Sequence, residues 1–156
     1  GFSPSETRLY FTLGDPLAGS VGRYVGPQTR PGEGSFRADE KPKWMSRGDI
    51  HKHCEVVGDK TGKSIVLVED VVSAHKVGQV TTAIPLFGVN IHPAHFYYLL
   101  RDDRPVVLWL DDDQKGRSIM HKAIGIQAVL NRTVSTVTTK KDPKYLSIEE
   151  INQEIQ

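Results

Sequence analysis

Cysteine is almost missing from this chain. Cys54 stands alone, which excludes a disulfide framework and a zinc site built on paired cysteines. Long apolar runs are missing too: no stretch approaches the ~20 residues of a membrane span, and the N-terminus lacks a signal-peptide pattern. Net charge is close to nil, +1 over 156 residues, which argues against a bulk polyelectrolyte binder. Yet an apolar share of 38% and a charged share of 25% exclude a disordered tail. What remains is one domain, or one with a small appendage, long enough to bury a core without staples. It is expected to be soluble, cytoplasmic and without a membrane partner.

Charge is distributed unevenly on a small scale. Residues 1–63 hold ten Lys/Arg against eight Asp/Glu, with Arg37, Lys41, Lys43 and Arg47 close together. Residues 64–156 hold ten against eleven and place Asp111, Asp112 and Asp113 in succession. Such a run repels itself unless cations or solvent screen it.

The first sixty residues read as short strands and turns. Leu9–Leu13 and Val21–Val25 are strand-like, Gly14-Asp15-Pro16 is a turn, and Pro27–Glu40 is a long, mobile loop rich in Gly, Pro and charge. No convincing core is visible there. From Ser64 the pattern changes. Ile65–Val68 is a continuous apolar run, the mark of a strand buried on both faces. Val71–Val77 has helical spacing, Ala83–Phe87 is a second strand, and Pro93–Leu100 is a helix with proline in its first turn. Pro105–Leu110 is a third strand, and a helix of about fourteen residues starts near Lys115–Arg117 on a 3.6-residue period. Thr133–Thr138 is a fourth strand, and Ser147 with Glu150 forms a capping box for a last helix to Ile155.

Four strand–helix alternations imply right-handed crossovers and a parallel sheet, in which function gathers at the carboxyl ends of the strands. Those ends carry Glu69-Asp70, Asp111-Asp112-Asp113 and, past the fourth strand, Asp142. Neighbouring strands lie about 4.8 Å apart, so carboxylates at adjacent ends can share a cation. Hard oxygen ligands without His or Cys suit Mg²⁺ or Mn²⁺, ions that serve nucleotidyl transfer and strand cleavage. One acid at a helix start is ordinarily a cap; four or five at corresponding strand ends favour a metal site.

Other signals are weaker. Gly58–Ser64 looks like a phosphate-binding loop but is one residue short between its glycines and leads into a strand, so Lys63 reads as a turn residue. His51-Lys52-His53-Cys54 has no partner pair of suitable spacing. His92 and His95 read as capping or packing residues, Cys54 as a small buried or half-buried residue, and Trp109 as core. Trp44, next to Lys43, either stacks a base or anchors its loop.

Glu69 at the end of an apolar strand, followed by Asp111-Asp112-Asp113-Gln114-Lys115-Gly116-Arg117 after another, resembles the TOPRIM pattern of one Glu and an Asp-x-Asp. Lys141-Asp142-Pro143, Val21-Gly22-Arg23-Tyr24 and Lys43-Trp44-Met45 are similar to segments of DNA primases, especially the primase part of phage primase–helicases. The resemblance covers about nine-tenths of the chain. It implies a TOPRIM-like α/β domain over 63–156, with a four-stranded, mostly parallel sheet flanked by helices. A small, basic, β-rich subdomain over 1–62 precedes it. It implies that Glu69, Asp111 and Asp113 are catalytic and bind Mg²⁺ or Mn²⁺, with Asp142 a further metal-site carboxylate. Lys41 and Lys43, and less strongly Arg47, Lys115 and Arg117, would contact nucleotide or template, since cationic side chains suit phosphate.

The implied activity is synthesis of short RNA primers from ribonucleoside triphosphates on a single-stranded DNA template, in a bacterial host cytoplasm if the protein is phage-encoded. Asp70 stands where primases usually have Gly, and Ser73 where they are often acidic. The zinc-binding module of many primases and a helicase motor are not in this sequence: another chain supplies them, the sequence is a fragment of a longer primase–helicase, or the protein primes with little sequence preference. The alternatives are a TOPRIM-type nuclease and a non-catalytic nucleic-acid-binding or receiver-like regulatory domain. Receivers need five βα units, however, and only four strands follow Lys63.

Overall fold

The computed structural model describes residues 1–5, 7–14, 18–26, 42–111 and 116–156. It divides between His53 and Cys54. The first unit is an antiparallel sheet of β1 (Phe2–Ser3), β2 (Arg8–Leu13), β3 (Gly19–Tyr24) and β4 (Trp44–Gly48), in that order. A small core does exist here: Leu13, Val21 and Ile50 are buried. Beside them Arg8 is only 1% exposed. Its guanidinium donates to the Gly22 carbonyl at 3.2 Å and lies 5.6 Å from the centre of the Tyr24 ring. The sequence does not advertise this core because a charged residue supplies part of it. A Cβ at Gly22 would meet the Tyr10 ring at 2.5 Å, so a larger residue there would displace that ring. The expected loop over 27–40 and the central turn residues Asp15 and Pro16 lie outside the described residues.

The second unit runs β5 (Val57–Gly58), β6 (Ile65–Val68), α1 (Val71–Val77), β7 (Thr82–Pro85), α2 (Pro93–Leu99), β8 (Val106–Trp109), α3 (Gly116–Leu130), β9 (Val134–Val137) and α4 (Ile148–Ile155). Its strand order is β5-β7-β6-β8-β9, with β7, β6, β8 and β9 parallel and β5 antiparallel at the edge. The four expected strands are therefore present in a parallel set, and a fifth joins them. Val57 and Gly58 pair with Ala83 and Thr82, which draws residues 54–62 into this unit instead of leaving them with the first.

Every residue of β6, β7 and β8 is buried, as unbroken apolar runs in a parallel sheet should be. Alternation sends Ile65 and Leu67 to one core with Leu99 of α2 and Ile119, Ala123 and Ile126 of α3. Val66 and Val68 go to the other, with Ala74 and Val77 of α1 and Ile151 of α4. The sheet is thus covered on both faces, and its carboxyl edge is left for chemistry. The capping box at α4 forms as expected: the Glu150 N–H donates to Ser147 Oγ at 3.1 Å, and the Ser147 N–H to Glu150 Oε2 at 2.7 Å.

Candidate active site

β6 and β8 are adjacent and in register, Leu67 opposite Leu108. Their carboxyl ends therefore deliver Glu69 and Asp111 side by side. The Asp111 N–H donates to Glu69 Oε1 at 3.2 Å. Asp111 Oδ1 is buried and has no hydrogen-bond partner among the described residues. Burial, then the Glu69 charge, then that of Asp142 push the Asp111 carboxyl from its ordinary 3.8 up to about 7, and Lys144 opposes them. Its surroundings therefore disfavour ionisation of this acid. The donor chemistry fits a hard divalent ion: oxygen donors only, one of them buried without a partner. The described carboxylates do not by themselves form a group of three metal-binding side chains. Asp113, the second acid of the expected Asp-x-Asp, lies outside the described residues, as does Asp112.

The loop after β9 brings up Asp142 and a residue that sequence reasoning missed. Lys144 Nζ lies 2.7 Å from Asp70 Oδ2 and 3.1 Å from Asp142 Oδ2. Burial works against the lysine charge, but the hydrogen bond and charge of Asp70, then those of Asp142, outweigh it and hold its pKa above the ordinary value. Asp70 also caps α1, accepting the Ser73 N–H on Oδ1 at 2.9 Å. Trp109 is fully buried, as expected of a core residue, and its Nε1 donates to Thr139 Oγ1 at 3.0 Å. Thr139 Oγ1 in turn donates to the Lys141 carbonyl at 2.7 Å. The last residue of β8 thereby anchors the loop that carries Asp142. The signal for Lys144 was its place two residues beyond Asp142, at an edge with more acids than nearby cations.

The expected phosphate-binding cations are scattered. Lys43 is exposed just before β4, and Arg47 is exposed on β4 with its guanidinium 4.5 Å from the centre of the Tyr10 ring. Lys41 and Lys115 lie outside the described residues, and of Arg117 only its place in the first turn of α3 is described. Trp44 is half-buried against Phe11, ring centres 6.5 Å apart, with the Arg23 guanidinium 5.3 Å from its ring.

The segment that mimics a phosphate loop is a turn. Asp59 Oδ1 accepts from the Thr61 N–H at 2.8 Å and the Thr61 hydroxyl at 2.7 Å. It precedes β6, at the sheet edge opposite the acids. The His92 N–H donates to His95 Nδ1 at 3.0 Å at the start of α2, the expected local role. Cys54 is half-buried, and burial, then Glu55, push its thiol up to about 12.

Residues 67–146, just over half of the chain, match the model of a family described as Toprim-like. No curated protein matches the sequence. Among solved structures, a DNA primase domain from Pseudomonas aeruginosa is similar with a TM-score of 0.71 at 19% identity, covering 95% of this chain and 50% of that one. A DnaG primase catalytic domain bound to single-stranded DNA is similar at 0.69 and 19%, with 95% and 50% covered. The zinc-binding and RNA polymerase domains of Aquifex aeolicus primase are similar at 0.68 and 18%, with 95% and 38% covered. The chain thus spans half or less of the length of each of these structures, and at such identities the likeness is one of fold.

Proposed function

The chain belongs to the Toprim-like family, and on that footing we propose that it is the catalytic part of a DNA primase, joining ribonucleotides into short primers on single-stranded DNA. The observation that carries this reading is the Glu69–Asp111 pair, two carboxylates at adjacent strand ends with Asp111 Oδ1 buried and lacking a partner among the described residues. Glu69, Asp111 and Asp113 would hold Mg²⁺ or Mn²⁺, with Asp142 beside them. When bound, the ion would offset triphosphate charge and stabilise the developing negative charge on the reacting oxygens.

The protein's own contribution is positioning. The register of β6 and β8 fixes the two carboxylates relative to each other, and the hydrogen bond from the Asp111 N–H orients Glu69. A primer 3′-hydroxyl would attack the α-phosphorus of the next ribonucleotide. The new P–O bond replaces the bond to pyrophosphate, which leaves, and the hydroxyl proton passes to solvent or an adjacent base. Lys41, Lys43 and Arg47, with Lys115 and Arg117, are the proposed cations for template and triphosphate. Residues 1–53 would form the template-guiding part and 54–156 the catalytic part.

Single-stranded DNA stands in the name of one similar structure and a zinc-binding domain in that of another. Both are proposed partners here, with a helicase as a third. Cytoplasmic location is part of the same reading; no helix among the described residues is long and apolar enough to cross a membrane. The phage affinity rests on the motif resemblance alone.

The test is incubation of the purified chain with mixed-sequence single-stranded DNA, labelled ribonucleotides and Mg²⁺ or Mn²⁺. Short labelled products complementary to the template are expected. Metal-dependent loss of the DNA, without such products, would replace the primase reading with a nuclease.

A further inference from the structure

The acidic edge is not a uniform cluster of carboxylates; it has two halves. In one, Lys144 Nζ lies 2.7 Å from Asp70 Oδ2 and 3.1 Å from Asp142 Oδ2, and the lysine side chain is 6% exposed. An ammonium so buried is tolerated only when it is paired. The pairing is built in from three sides. Asp70 is fixed by the Ser73 N–H at the start of α1. Asp142 and Lys144 share one short turn, in which the Tyr145 N–H donates to the Asp142 carbonyl at 2.9 Å. The stretch before that turn is tied to β8 through Trp109, Thr139 and Lys141. In the other half, Glu69 accepts the Asp111 N–H, and Asp111 Oδ1 is buried without a partner among the described residues.

A two-ion clamp, which holds attacking and leaving oxygens in many phosphoryl-transfer sites, would have to draw on the Asp70–Asp142 half of this edge as well as the Glu69–Asp111 half. We propose that the Lys144 ammonium is a built-in cation that fills the Asp70–Asp142 half of this edge, so that the site takes one divalent ion, on the Glu69–Asp111 half. The inference rests on the metal-dependent reading above and goes beyond it by fixing the number of ions and which acids they meet. Lys144 is then a positioning residue: it holds two carboxylates and keeps them from recruiting an exchangeable ion. Asp142, expected from the sequence on the metal, belongs to the lysine. A single ion at a time would also make the site less demanding of free metal than a two-ion clamp.

The test is Mn²⁺ titration of the full chain, with bound ion counted by electron paramagnetic resonance. One Mn²⁺ is expected for the wild type and for Lys144→Arg, which keeps the charge. Two are expected for Lys144→Met, the second raising Tm in a separate step as it replaces the missing ammonium. If Lys144→Met fails to fold, Asp142→Asn gives an independent answer. It should shift the affinity for the single ion less than threefold, whereas Glu69→Gln should weaken it at least tenfold. Two ions in the wild type, one in a folded Lys144→Met, or a tenfold loss in Asp142→Asn would each overturn the proposal. No bound Mn²⁺ in the wild type would instead overturn the metal reading beneath it.

Discussion

The Asp111 N–H donates to Glu69 Oε1 at 3.2 Å, joining residues just past the ends of two adjacent parallel strands. The register of β6 and β8, where every side chain is buried, sets the backbone positions from which the two carboxylates extend. The acidic edge is therefore a product of the core beneath it, and its strain is electrostatic.

That strain gives a pH dependence of known sign. The Asp111 carboxyl is raised from 3.8 to about 7 in the folded chain, by burial first and then by Glu69. Below about pH 4 both folded and unfolded chains hold the proton, and nothing is lost. Between there and about pH 7 only the unfolded chain releases it, so stability falls as pH rises. In metal-free buffer, Asp111→Asn should match the wild type near pH 4 and exceed it at pH 8 by about 1 kcal/mol, a figure discounted for water that still reaches the site. Thermal unfolding at the two pH values checks this; equal differences at both would contradict it.

Gly58 has φ of +92°, and a Cβ there would lie 2.3 Å from the Gly78 backbone. Gly58→Ala should cost about 2–3 kcal/mol or more. Lys63→Ala, at a turn position, should leave both stability and nucleotide binding unchanged. Denaturant melts and a nucleotide-binding titration distinguish this turn from a phosphate loop, in which Lys63 would be the sensitive residue.

Arg104 works at the opposite edge of the sheet. Its Nε and Nη2 reach both oxygens of Asp102, and Nη1 donates to the Gly62 carbonyl at 3.0 Å and Thr82 Oγ1 at 2.8 Å. Arg104→Ala should destabilise by about 1–3 kcal/mol, because it strips charged hydrogen bonds from three segments at once. Primer synthesis per folded molecule should stay within twofold of the wild type at a temperature where both are folded.

Cys54, its thiol pushed up to about 12, has almost no thiolate at neutral pH. Iodoacetamide at pH 7.5 should modify it at least tenfold more slowly than a free thiol, and Cys54→Ser should not reduce primer synthesis. Rapid alkylation accompanied by loss of activity would show a reactive role.

Much of the second unit is legible in the sequence. Unbroken apolar runs rich in β-branched residues, at Ile65–Val68 and Val106–Trp109, are typical of buried strands, and in a parallel sheet the residues just past such strands gather at one edge. Glu69, Asp111 and Asp142 are legible for that reason. β5 is not, because two residues hold no periodicity; Val57 and Gly58 become a strand only through pairing with β7. The core of the first unit is hidden because Arg8 reads as surface until its carbonyl partners are known. Lys144 is hidden for a similar reason. A lone lysine in a loop looks solvated, and only the return of the chain past β9 brings it between Asp70 and Asp142.

The most direct test of the central claim is the rate of template-directed primer synthesis, with Mg²⁺ or Mn²⁺, in the wild type, Glu69→Gln and Asp111→Asn, each shown to be folded by circular dichroism. Metal-dependent synthesis by the wild type and a loss of at least about 100-fold in both variants are expected. Synthesis that survives either substitution within a few-fold would contradict the assignment of the Glu69–Asp111 edge as the catalytic centre.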